Sequence, residues 1–316
     1  MNKNGILCVH TKKHTAQAES KTFIKEKTNM KKVLSIILSA IMVLGVFALA
    51  SCGKTGSTEK VKVIDIALSE EEYAFGVNSS DSELLAKTNE YLAKIKADGT
   101  FDAICDKYFS DGTPTKVKSA AEDSSKDQLV VATSTGFEPF EMVDGNGEYY
   151  GIDLEIAAGL AKYLGKELVI KDMKFEAVVT SVQQGICDIA MAGLTVTPSR
   201  KEQVTFSDTY YNASQVLMVP ADNTEFDNCK TAEEIVEILN KKTTSTKIGC
   251  QEGTTGGIYI TGDADDPDGY GFPGLPVTKM AYDYAGLAVT AMVNGQINYV
   301  IVDNAPAKAI AKAVNG

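Results

Sequence analysis

From Leu129 onwards, short apolar runs alternate with amphipathic stretches of about ten residues, and this rhythm most constrains the fold. Leu129-Val130-Val131-Ala132, Leu168-Val169-Ile170, Asp188 to Met191, Gln215 to Val219, Lys247 to Gly249, Val277 to Met280 and Tyr299 to Val302 read as strands. Helical spacing falls between them over Asp153 to Leu164, Glu176 to Gln184, Ala232 to Asn240, Tyr282 to Asn294 and Ala305 to Ala313. Gly165 and Gly185 stop the first two helices, and a turn is expected at Gly253. Strands alternating with helices of this length build parallel sheets flanked by helices, and two lobes suit a chain this long better than one. Ligands of such sheets lie beyond the carboxyl ends of the strands.

The region before Leu129 is different. Ile64 to Leu68 and Tyr73 to Val77 read as short strands. Ser80 with Glu83 forms a capping box for a helix carrying Leu84, Leu85, Leu92 and Ile95, which Gly99 ends. Phe101 to Phe109 is a second short helix, and residues 110–128 are small, polar and linker-like.

Residues 33–50 are uncharged and follow Lys31-Lys32, as in a secretory signal. They end in Leu49-Ala50-Ser51-Cys52-Gly53, which resembles a bacterial lipobox. The expectation is a leader of residues 1–51 that is removed, lipidation of Cys52, and a tether over 53–60. The competing reading is a transmembrane helix, since 18 apolar residues just span a bilayer.

Charge and rare residues narrow the function. Without the eight lysines and two glutamates of residues 1–51, the remainder has 23 basic and 40 acidic residues. So acidic a body is unsuited to nucleic acid, whose binding rests on basic groups meeting phosphate. Both histidines, His10 and His14, lie in the leader, which excludes Ser–His and Cys–His catalysis and His-ligated metals from the rest. The spacing of Cys105, Cys187, Cys229 and Cys250 fits no metal motif. They read as small buried residues, with a Cys229–Cys250 disulfide left open. Arg200 is the single arginine beside thirty lysines, which marks it for a task lysine cannot do.

Residues that follow strands supply the candidate site. Thr133 to Phe140 follows the first, Gly193 to Arg200 the strand ending near Met191, Gly253 to Gly256 the strand at Gly249, and Asp303 follows Val302. They offer one guanidinium, hydroxyls, a carboxylate and an aromatic face. A planar carboxylate takes a bidentate guanidinium, an ammonium takes a carboxylate, and an aromatic face covers an aliphatic chain. Free amino acids carry all three partners.

The segments GFEPFEMVDGNGEYYGIDLEIAAGLAKYLG, QQGICDIAMAGLTVTPSRKEQVTFSDTYY and INYVIVDNAPA resemble the extracellular solute-binding proteins of polar amino-acid ABC importers. The resemblance implies a two-lobed type II periplasmic-binding fold, each lobe a mainly parallel α/β sheet flanked by helices. It implies that Phe137 and Phe175 sandwich the ligand side chain, and that Gly193 and Thr195 hold the ligand from the first lobe. Arg200 would grip the α-carboxylate, Thr254 and Thr255 would donate from the second lobe, and Asp303 would take the α-ammonium. Ser134 stands where some binders of cationic amino acids have an acidic residue, which leans towards a neutral polar ligand. The blander readings are core packing for both phenylalanines, a helix cap for Asp303, a turn for the two threonines, a surface ion pair for Arg200 and a helix start for Ser199.

In the family, the parts resembling Val61 to Phe109 come last; here they precede residue 129. A circular permutation explains this better than a partial tandem duplication, because each part occurs once. Lobe 1 is then 74–109 with 129–217, and lobe 2 is 61–68 with 221–316. The linker 110–128, about 60 Å when extended, joins the family's usual ends.

The resulting expectation is a monomeric, lipid-anchored protein on the outer face of a bacterial membrane. It captures a free amino acid without cofactor or metal and passes it to an ABC permease. Two alternatives share the fold: an enzyme similar to cyclohexadienyl dehydratases, with Glu138 or Glu141 as candidate acids expected to face solvent or loop backbone, and a sensor subunit.

Overall fold

The computed structural model describes residues 59–110, 112–264 and 269–316. The leader, Cys52 and tether residues 53–58 lie outside the described residues. In chain order, β1 (Val61–Ile64), β2 (Glu71–Tyr73) and β3 (Gly76–Val77) precede α1 (Ser82–Ala97) and α2 (Thr100–Phe109). Next come β4 (Gln128–Thr133), β5 (Met142–Val143), β6 (Tyr149–Tyr150), α3 (Ile152–Leu164), β7 (Glu167–Asp172), α4 (Phe175–Gln183) and β8 (Ile189–Ala190). A single turn of helix, α5 (Pro198–Lys201), leads to β9 (Thr205–Phe206), β10 (Tyr211–Ala213) and β11 (Gln215–Pro220). The rest is α6 (Ala232–Asn240), β12 (Lys247–Gln251), α7 (Thr255–Thr261), β13 (Thr278–Tyr282), α8 (Ala285–Val293), β14 (Tyr299–Asp303) and α9 (Asn304–Asn315).

Two five-stranded sheets result. The first has the order β7-β4-β8-β3-β9, with β4 parallel to β7 and β8 and with β3 antiparallel to β8 and β9. The second has the order β1-β11-β14-β12-β13, parallel from β14 to β13 and antiparallel at β1 and β11. β14 reads Tyr-Val-Ile-Val-Asp and is buried throughout because helices cover both faces of its sheet. Its alternate residues serve opposite cores. Tyr299 and Ile301 pack with Leu217, Ile235 and Ile248, while Val300 and Val302 pack with Met218, Val289 and Met292.

The chain crosses between the sheets at β2 and β10, which pair antiparallel with Tyr211 opposite Tyr73 and Ala213 opposite Glu71. This two-stranded ladder joins the two sheets.

Three local expectations change. The cap of α1 is Asp81, whose carboxylate accepts from the Leu84 amide at 2.9 Å, while the Ser80 hydroxyl turns away to Asn78. A carboxylate at the start of a helix also meets the positive end of the helix dipole, which favours Asp81. Gly253 leads not to a bare turn but into α7, a helix hidden in the sequence by its glycines and β-branched residues. The segment 112–127 is not a free linker. Val117 is buried and pairs with Tyr149, and the Ala120 amide and Ser119 hydroxyl bond the backbone of Leu168 and Ile170. The four cysteines are free thiols, so Cys229 and Cys250 are not joined.

Candidate functional site

Arg200 owes its position to the turn that carries it. Thr197 caps α5 by accepting from the Arg200 amide at 3.1 Å, and Pro198 fills the first helical position, where its missing N–H costs nothing. The guanidinium is buried. It donates to the Thr195 carbonyl at 2.7 Å and to the Gly253 carbonyl, across the cleft, at 3.0 Å. Its carbon lies 5.2 Å from the centre of the Phe175 ring, so the aromatic face stacks on the cation. Five N–H groups serve two carbonyls, which leaves donors for a carboxylate.

Gly193 has φ +51°, and a Cβ there would lie 2.6 Å from the Phe137 ring, so only glycine lets that ring close over the backbone. Its amide donates to Asp153 Oδ2 at 2.8 Å, and Tyr210 donates to Asp153 Oδ1 at 2.7 Å. Burial nevertheless pushes Asp153 up to about 7.

Asp303 closes the other end. It is buried, accepts from the Tyr73 hydroxyl at 2.6 Å and makes no side-chain cap bond to α9, so capping is not its role. Burial and the neighbouring Glu71 carboxylate raise it to about 7, against the hydrogen bonds from Tyr73 and Gln215.

Eight of the nine residues singled out in the sequence wall one small cavity of about 10 Å³: Phe137, Phe175, Gly193, Thr195, Arg200, Thr254, Thr255 and Asp303. Phe137 is buried and Phe175 half-buried. The ninth, Ser134, is buried off this wall, with its hydroxyl unpartnered. A wider open groove of about 1100 Å³ shares only Asp303 with this set and contains no arginine.

Gln251 completes the wall, and its buried Oε1 has no hydrogen-bond partner. It ends β12, so the rule that ligands lie beyond strand ends could have found it. Glu71 was also missed. It is buried behind the wall, and its Oε2 accepts from Thr195 Oγ1 at 2.9 Å and Thr255 Oγ1 at 2.8 Å. Its one signal, a place two residues from Tyr73 on the same face of a strand, shows only once that strand and its pleat are known. Each threonine has one hydroxyl proton and gives it to Glu71, so neither hydroxyl is free to donate into the cavity.

Of the two candidate acids, Glu138 is exposed. Glu141 does not face solvent or loop backbone. It is wholly buried, neither carboxylate oxygen has a partner, and burial raises its pKa strongly.

Two α/β lobes joined by a crossing ladder, with a charged and aromatic cavity between them, define a two-lobed binding protein of the periplasmic-binding fold. The sequence profile of the bacterial extracellular solute-binding proteins, family 3, matches residues 129–299, and the chain belongs to that family. The arginine-binding extracellular protein ArtP of Bacillus subtilis (strain 168) is 36% identical over 104 residues, 33% of this chain and 40% of its own length. ABC transporter arginine-binding protein 1 of Escherichia coli (strain K12) is 26% identical over 182 residues, 58% of this chain and 65% of its own. The chain therefore spans less than two thirds of these relatives. Among solved structures, the ancestral amino acid-binding protein AncCDT-1, a precursor of cyclohexadienyl dehydratase, superposes with a TM-score of 0.50 at 30% identity. That match covers 59% of this chain and 74% of the other.

Proposed function

We propose that this protein captures a free amino acid between its lobes and delivers it to an ABC permease, without chemistry of its own. The observation that carries the reading is the meeting of Arg200, Asp303, Phe137 and Phe175 on one cavity. Arg200 suits the α-carboxylate, Asp303 the α-ammonium, and the two rings the aliphatic part of a side chain. The names of the relatives, arginine-binding proteins among them, support an amino acid as ligand.

The leaning to a neutral polar side chain was drawn from Ser134, which does not wall the cavity. Gln251 supports a polar side chain instead, since its free Oε1 asks for an N–H donor such as a side-chain amide. A guanidinium would also answer it. Titration calorimetry of residues 53–316, refolded to strip bound ligand, against the twenty amino acids and cystine tests the reading. We expect one binder at micromolar Kd or tighter. A cooperatively folded chain that binds none overturns it.

The enzyme reading has one observation in its favour, a cavity carboxylate, Asp303, raised to about 7. Turnover of prephenate or arogenate would establish it.

We further propose anchoring on the outer face of the membrane through a lipidated Cys52, which rests on the Leu-Ala-Ser-Cys sequence. Cys52→Ala should release the protein from the membrane fraction. The permuted order is proposed on contacts between the ends of the described chain. The Asn315 side chain accepts from the amides of Lys60 and Val61 at 2.8 and 3.2 Å and donates to the Val61 carbonyl at 2.9 Å. The lobes belong to the same proposal, with one boundary moved: β11 (Gln215–Pro220) is a strand of the second sheet, so lobe 1 is 74–109 with 129–210 rather than 129–217, and lobe 2 is 61–68 with 214–316 rather than 221–316.

A further inference from the structure

One buried tie between the lobes centres on Glu71, a residue the sequence did not mark out. Glu71 lies on β2, in the crossing ladder itself, and is turned inward with Tyr73. A single oxygen, Oε2, takes the hydroxyl of Thr195, which follows β8 of the first sheet, and the hydroxyl of Thr255, which opens α7 beside the second. Oε1 takes the Ser69 hydroxyl at 2.7 Å, Ser69 Oγ in turn accepts from the Gln215 amide, and Gln215 Nε2 donates to Thr255. The carboxylate is thus held by one hydroxyl from each lobe and by Ser69 beside its own strand, with Gln215 at the start of β11 bracing Ser69 and Thr255.

We propose that Glu71 is the positioning residue of this cleft: a carboxylate carried by the crossing strand that draws the lobes together by binding one threonine hydroxyl from each. Its bonds are charge-assisted and roughly twice as strong as neutral ones. They are also buried, where water does not compete and where an unpaired carboxylate would be costly. Two other buried, charge-assisted bonds cross the cleft, Arg200 to the Gly253 carbonyl at 3.0 Å and Tyr73 to Asp303 at 2.6 Å, but each joins a single pair of groups, and the ties at the rim are of a weaker kind. Lys174 and Asp283 pair at 2.9 Å on the exposed rim, and Tyr270 donates to the Val196 carbonyl at 2.7 Å as a neutral bond. Because Thr195 and Thr255 also wall the cavity, Glu71 fixes their separation and the direction of their protons in one step.

Lobe closure can be read with no ligand at all, so a failure here is separate from a failure of the amino-acid reading. The experiment is small-angle X-ray scattering on the refolded chain, with thermal unfolding to confirm a cooperative fold. Wild type is compared with Glu71→Ala, Glu71→Gln, Thr195→Val, Thr255→Val and the Glu71→Ala/Thr195→Val double variant. Glu71→Ala should shift to a larger radius of gyration while still unfolding cooperatively. Thr195→Val and Thr255→Val leave the crossing strand intact and should produce the same shift. The double variant should open no further than Glu71→Ala alone, because both changes remove one contact. Glu71→Gln, whose amide oxygen still accepts, should stay nearer to wild type. Cooperatively folded variants that keep the wild-type radius, or shifts that add in the double variant, overturn the proposal. Should Glu71→Ala not fold, the two threonine variants decide: opening supports the tie, and an unchanged radius overturns it.

Discussion

At the residue scale, Arg200 and Asp153 make the sharpest predictions. Arg200 is buried, and its guanidinium bonds are to carbonyls rather than to a carboxylate. Arg200→Ala should therefore weaken amino-acid binding by about 2–5 kcal/mol, the usual cost of removing one partner of a buried charged pair. Calorimetry of the variant against the wild-type binder checks it, and unchanged affinity would remove Arg200 from the site. Asp153 concerns stability. Burial raises it to about 7 in the fold, against about 3.9 in an unfolded chain. Below about pH 4 both states hold the proton, so burial carries no ionisation penalty. As pH rises towards 7 the unfolded state ionises and the folded state does not, so stability falls, and above 7 the loss is complete. Asp153→Asn, which never ionises, should gain on wild type across that window, by on the order of 4 kcal/mol at most. Denaturant titrations at pH 4, 5.5, 7 and 8 should show the gap widening and then levelling. A gap that does not change with pH would show that Asp153 titrates normally.

Elements carry the local precision of the site. α5 is one turn long, too short to hold itself by helical cooperativity, so its cap and its proline hold Arg200 in place. Thr197→Ala should cost about 1 kcal/mol of stability, the usual worth of a helix cap, seen as a lower urea midpoint. The same elements show what a sequence can and cannot disclose. Long periodic segments such as α3 and α6 were legible because their apolar spacing is local, and α6 carries a full capping box at Thr231 and Glu234. α7 was not, since Thr-Gly-Gly-Ile-Tyr-Ile-Thr has poor helix propensity and is held by packing against β12 and β14. Of the candidate site, the eight wall residues were legible from strand ends and from the family resemblance. Glu71 was not, because it is buried only through pairing of β2 with β10, about 140 residues further along the chain. Three consecutive glutamates precede Tyr73, and only the pleat decides which of them turns inward.

For the whole molecule, the order of parts is the open physical question. β1 lies on the edge of the second sheet, and its first residues are clamped by Asn315 at the end of α9. A chain bond from Gly316 to Lys60 would therefore join segments already in contact, at little cost in loop entropy. The opposite cut falls between Asp127 and Gln128, just before β4. Cutting there keeps Ser119 and Ala120 on the edge of β7 and Val117 on Tyr149 of β6, whereas deleting 110–128 would strip both strands of these partners. A rearranged chain running 128–316 and then 60–127 should unfold cooperatively, near the midpoint of the present order, and bind the same amino acid. Chemical denaturation and calorimetry on both orders check this. If the rearranged chain fails to fold while the original folds, the contact at Asn315 is not an equivalent of a peptide link and the permutation proposal falls. Should it fold but bind a different ligand, the join would be reaching the cleft through β1 and the crossing strand, and the two lobes would not be independent of chain order.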